Sequence, residues 1–96
     1  MKIIWSQRAL DELDSITDYL ITHWGEEIAS NYMKRIETLI SHILDNPRMY
    51  PESRVKKGVR RCVISKHNTL YYMLMSDRVE IITVFDNRQD NAKKNL

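Results

Sequence analysis

A chain of 96 residues has room for one hydrophobic core and not two, and 43% hydrophobic with 29% charged residues excludes a disordered chain. One cysteine excludes an intrachain disulfide, and no apolar run approaches the ~18 residues of a membrane span. The formal charge of +2 conceals a division, with five Lys/Arg against eight Asp/Glu in residues 1–50 and ten against five in residues 51–96.

Lys2-Ile3-Ile4-Trp5 is a short β-prone run, and Ser6 behind it is a good helix N-cap. Ala9, Leu13, Ile16, Leu20 and Trp24 recur at steps of three or four and define one helical face, which Leu10 and Tyr19 widen. Gly25 is a natural stop, since it can take the left-handed conformation that closes a helix, and Glu26 and Glu27 put negative charge at the positive end of a second helix. That helix carries Ala29, Tyr32, Met33, Ile36, Leu39, Ile40, Ile43 and Leu44 at helical spacing until Asp45-Asn46-Pro47 ends it. Two long helices with so short a link pack as an antiparallel hairpin.

Residues 46–57 hold both prolines and read as a loop of the length at which loops are functional or mobile. Residues 59–64, 70–75 and 79–85 are then strand-length runs rich in β-branched and aromatic residues, separated by hairpin-length turns. They predict an antiparallel meander. Residues 70–75 are apolar on both faces, as a central strand is, and Val79, Ile81 and Phe85 alternate with Glu80. The segment 87–96 has little apolar content and reads as a frayed end or a short terminal turn. The expected fold is α+β over residues 1–96: a two-helix hairpin on a small, mainly antiparallel sheet in the order β-α-α-β-β-β, with the Trp5 strand at a sheet edge.

Chemistry-bearing residues are few. His23, His42, His67 and Cys62 show no metal-ligand spacing, and two glycines, Gly25 and Gly58, cannot build a phosphate-cradling loop. No metal or cofactor is expected, and the early charge at the N-terminus suits a cytoplasmic protein better than a signal peptide. What stands out is a basic cluster in the second half: Lys56, Lys57, Arg60, Arg61, Lys66, His67, Arg88, Lys93 and Lys94, with Tyr71 and Tyr72 close in sequence. Such groups could hold phosphates or stabilise the charge of RNA cleavage, or could be solvated charges that protect a sheet edge. Neighbouring strand residues point to opposite faces, so Arg60 and Arg61 cannot share one patch. One of them belongs at or near the helix-covered face.

The order and spacing of Ile4-Trp5-Ser6, Ala9, Leu13, Ile16-Thr17-Asp18-Tyr19-Leu20, Asn46-Pro47, Gly58-Val59-Arg60, Leu70-Tyr71-Tyr72 and Val84-Phe85-Asp86-Asn87-Arg88-Gln89 resemble the ParE/RelE superfamily of bacterial type II toxins. The resemblance spans nearly the whole chain. It implies the same helical hairpin on a sheet, and a toxin neutralised by a cognate antitoxin in a hetero-oligomer, or able to dimerise. Its ParE-like branch implies inhibition of DNA gyrase by binding and a role in plasmid stabilization, with Arg60, Lys66, Arg88 and Gln89 as target-binding residues on the exposed sheet face and the segment after the last strand. Its RelE-like branch implies a ribosome-dependent mRNA endoribonuclease, for which Arg60, Lys66, His67 and Arg88 would be catalytic. The residues at or near two further RelE-like cationic positions are Cys62 and Thr69, and no tyrosine or histidine follows Arg88, so the ParE-like branch is the expectation. The amphipathic helices and basic second half suggest an apolar groove rimmed by positive charge for an acidic antitoxin segment.

Overall fold

Ser6 decides where the first strand gives way to helix. In the computed structural model, which describes residues 1–89 and 95–96, its backbone is extended and its Oγ accepts from the Ala9 N–H. The expectations placed on Lys93 and Lys94, and on the middle of the terminal segment, lie outside the described residues. The same Oγ donates to the Ile82 carbonyl at 2.7 Å, so one hydroxyl caps a helix and clips it to a strand.

Strand β1 (Lys2–Trp5) leads into α1 (Gln7–Trp24), and Gly25 joins it to α2 (Glu26–Asp45). Gly25 has φ +94° and ψ 168°, an extended mirror-image conformation open to glycine and not the left-handed helical cap of the sequence expectation. Strands β2 (Val59–Val63), β3 (Asn68–Leu74) and β4 (Arg78–Asp86) form the expected meander. The sheet order is β1-β4-β3-β2, with β1 parallel to β4 at one edge and both β3 and β4 interior.

The helical hairpin covers one sheet face. Ala9, Ile36, Leu39 and Ile43 pack there against Cys62, Ile64, Leu70, Tyr72, Val79, Ile81 and Val84. The other face carries a second cluster in which Val59, Tyr71 and Phe85 are buried, with Met73, Ile82 and Leu96 against them. That face was expected to be open, yet its aromatic centre is closed off, and Leu96 is one of the residues that cover it.

Two edges are finished by side chains and loop. The β3–β4 register shifts between Tyr71 and Tyr72, leaving Ile82 as the extra residue of a bulge. Beyond it β4 outruns β1, and the Glu12 carboxylate of α1 accepts from Thr83 Oγ1 at 2.6 Å and from the Val84 N–H at 3.0 Å. At the opposite edge residues 51–53 lie along β2: the Ser53 N–H donates to Val59 and the Arg61 N–H to Pro51. The loop 46–57, whose length suggested a functional or mobile connection, is therefore bonded to the sheet at several points. Tyr72 Oη donates to the Pro47 carbonyl, and Arg60 Nη1 to those of Arg48 and Tyr50.

Candidate functional site

One end of the sheet gathers most of the residues singled out from the sequence. The β2–β3 turn is closed by Ile64 and Ser65 N–H groups donating to the Asn68 carbonyl, and by Ser65 Oγ accepting from His67 N–H. The chain leaving β4 turns beside it, because the Gln89 N–H donates to the Asp86 carbonyl. Asn87 ties the two segments together. Its N–H donates to the His67 carbonyl at 2.8 Å, its Oδ1 accepts from Thr69 Oγ1 at 2.9 Å, and its Nδ2 donates to the Lys66 carbonyl at 3.4 Å. Lys66, His67, Arg88 and Gln89 thereby form one exposed, mainly cationic end.

Within it Arg88 is held by Asp86. The guanidinium donates through Nε at 3.0 Å and Nη2 at 2.8 Å, and the Arg88 N–H donates to the same carboxylate. These bonds hold the Asp86 carboxyl below the usual carboxylate range, against the opposing effect of its slight burial, and the nearby His67 adds to them. Arg88 is in turn pushed above its ordinary value, chiefly by Asp86. Lys66 makes no ion pair with any described residue.

Arg60 does not join them. It pairs with Tyr72 at the opposite end of β2, on the helix-covered side of the sheet, where it is half-buried and bonded to loop carbonyls. Its assignment to the exposed sheet face is therefore corrected. Arg61 takes that side, opposite Tyr71 and beside Val59 and Val63 in the strand's alternation, with its Nε buried and unpartnered. The sequence set that one of the pair must lie near the helix-covered face; only the register says which. Cys62 is fully buried in the core, and burial raises its thiol pKa while Tyr50 and Arg35 pull it down. Burial likewise pushes Tyr72 up to about 12. Among the described residues no group of His, Cys, Asp and Glu could hold a metal ion, and no helix is long and apolar enough to cross a membrane.

A second feature lies on the helices. Leu13, Thr17 and Ile21 of α1 face Ala29 and Met33 of α2 across a mainly apolar groove of about 370 Å³. Its charged members are Asp14 and Glu26, so the rim is acidic, the reverse of the basic rim expected. The helices belong to the acidic half of the chain, and its cations arrived with the strands. Beyond the groove, Tyr19 stacks on His23 with ring centroids 4.1 Å apart, and Trp24 at the hairpin tip is 67% exposed.

The ParE toxin family of the parDE type II toxin–antitoxin system matches residues 3–91. Toxin ParE1 of Caulobacter vibrioides is 35% identical over 92 residues, which cover 95% of this chain and 93% of that protein. Among solved structures, a chain of the chromosomal ParDE toxin–antitoxin system from P. aeruginosa superposes with a TM-score of 0.72 at 18% identity, covering 90% of this chain and 95% of that one. A chain of the heterotetrameric YoeB–YefM toxin–antitoxin complex from Staphylococcus aureus superposes with a TM-score of 0.61 at 16% identity, covering 88% and 94%. At such identities the structural likenesses speak for the fold alone.

Proposed function

This chain belongs to the ParE toxin family of type II toxin–antitoxin systems, and from that premise we propose that it arrests growth by binding DNA gyrase, without turnover, and that a cognate antitoxin neutralises it. The contact surface is the sheet end of Lys66, His67, Arg88 and Gln89. The observation that carries this reading is the Asn87 tie, which fixes the β2–β3 turn against the segment after β4 and so presents these side chains together. A preorganised, exposed, cationic surface suits binding, because little ordering remains to be done when a partner docks.

Turnover of RNA is the less favoured reading. It asks for a base, an acid and cations converging on one phosphate. Here Arg60 stands at the far end of β2 and the Arg88 guanidinium is already bonded to Asp86. His67 is then the one imidazole at this end, among the described residues. The antitoxin reading draws on the toxin–antitoxin assemblies named for the P. aeruginosa and S. aureus neighbours. Its docking place here is the apolar groove between α1 and α2.

A supercoiling assay tests the proposal. Purified toxin is expected to inhibit gyrase and leave cleaved DNA, with Arg88→Ala and Lys66→Ala each weakening inhibition by about tenfold. In a translating extract the same protein is expected to leave message intact. Normal supercoiling at high toxin dose together with cut message would overturn the reading in favour of the ribonuclease.

A further inference from the structure

At the end of the sheet away from Lys66 and Arg88, a cavity of about 420 Å³ opens between the loop 46–57, the start of β2 and the turn after β3. Arg48, Glu52 and Arg60 supply its charges, and Leu74, Met75 and Ser76 form part of its wall. That volume lies in the range of roughly 300–1,000 Å³ of small-molecule sites.

Arg60 is built into this cavity. Its Nη1 is anchored to two backbone carbonyls, at 2.7 Å on Tyr50 and 3.2 Å on Arg48, and the side chain is half-buried. Those carbonyls belong to a loop that Tyr72 Oη also pins at Pro47. The guanidinium therefore has a fixed orientation, while its Nε and Nη2 make no hydrogen bond to a described residue. Arg48 comes from the loop wall, and its side chain makes no bond or ion pair to a described residue either. Two guanidinium groups with N–H donors to spare thus line one cavity from two different elements.

We propose that this cavity is a phosphoryl-binding site that takes a phosphomonoester between Arg60 and Arg48. A planar carboxylate is satisfied by one guanidinium fork, whereas a tetrahedral phosphate presents oxygens in several directions and can bridge donors from a strand and a loop. Leu74 and Met75, also in the wall, offer apolar contact to the body that carries the phosphate, and AMP serves as its probe. Glu52 opposes the anion and limits its affinity. The site stands independently of the gyrase reading, since it shares neither the sheet end nor the residues of that surface.

The test is an NMR titration of the full 96-residue chain, following the arginine Nε–Hε signals while inorganic phosphate, AMP, adenosine or acetate is added. Phosphate and AMP are expected to shift the Arg60 and Arg48 signals saturably, and adenosine and acetate to leave them nearly unmoved. Arg48→Gln is expected to weaken AMP binding by about tenfold or more, the loss of one charge-assisted contact. Glu52→Gln is expected to tighten it, and Arg88→Ala to leave it unchanged. Arg48→Gln carries the test because Arg60→Gln would also free two loop carbonyls. Equal response to acetate, a drift shared by Arg88 that never saturates, or unchanged affinity in Arg48→Gln would overturn the proposal.

Discussion

Glu12 sits off the apolar stripe of α1, where a carboxylate reads as a solvated surface charge, yet it holds two protons of β4 just beyond the bulge. Nothing in its sequence neighbourhood announces this, because the demand comes from a strand 71 residues away that outruns its partner. Removing the acceptor leaves the Val84 N–H and the fully buried Thr83 hydroxyl to find other partners. Glu12→Ala is therefore expected to lower unfolding free energy by about 1–3 kcal/mol, and Glu12→Gln by less, in urea titrations. Asp86 gives a second expectation at this scale. Its folded pKa is depressed by Arg88, so its contribution to stability is present above the ordinary aspartate value of about 3.9 and is lost as pH falls through the lower folded value. A carboxyl-carbon NMR titration is expected to place the Asp86 midpoint below that of an ordinary aspartate, and Arg88→Ala to return it toward the usual range. A midpoint indifferent to Arg88 would show that the ion pair does not persist in solution. Arg60 and Arg61 mark the limit of reading single residues. Alternation separates them, but the register Arg60↔Tyr72 is needed to send one to the helix side and the other to the opposite face.

Both helices were legible from their 3.6-residue period, and the stop at Asn46-Pro47 from the backbone restriction before proline. The meander was legible from strand-length apolar runs and short turns. The edge position of the Trp5 strand was legible too, but the partners of the outer segments were not, because those pairings are made by backbone groups and leave no side-chain signature. Residues 51–53 run through Pro51 and Glu52, which argue against a strand, and still satisfy the outer edge of β2. The parallel placement of β1 on β4 is likewise a matter of topology, read here from the Lys2↔Arg78 register. Gly25 shows how an element can be located correctly on partly wrong grounds: a stop was expected, but the observed φ and ψ lie in a region that no β-carbon tolerates well. A β-carbon there would meet no atom within 4 Å, so any penalty for Gly25→Ala is conformational and not steric against neighbours. The expected cost is about 1–3 kcal/mol, measured as a lower midpoint of thermal or urea unfolding with the slope unchanged. A neutral substitution would mean that the α1–α2 link takes another conformation in solution.

Across the whole molecule, the charge division visible in the sequence becomes a spatial one: acidic helices on one layer, cationic turns and strand ends on the other. Under the proposed function this division suits different partners to different surfaces. A target with negative charge suits the Lys66 and Arg88 end, whereas the α1–α2 groove, with Asp14 and Glu26 at its rim, suits an antitoxin segment that sets apolar residues on Leu13, Ile21 and Met33 and basic residues opposite the carboxylates. An acidic antitoxin helix would meet repulsion there. Ile21 is 46% exposed and lies outside the buried core, so Ile21→Asp should leave the fold intact while placing a charge in the contact. It is expected to weaken antitoxin binding by about tenfold or more in calorimetric titration, the loss of an apolar anchor. Asp14→Lys separates the charge argument from the apolar one. With a basic antitoxin segment it weakens binding, most strongly at low salt, where rim charges are least screened. With an acidic segment the same substitution tightens binding, and that result would move the antitoxin's basic contacts off this groove altogether.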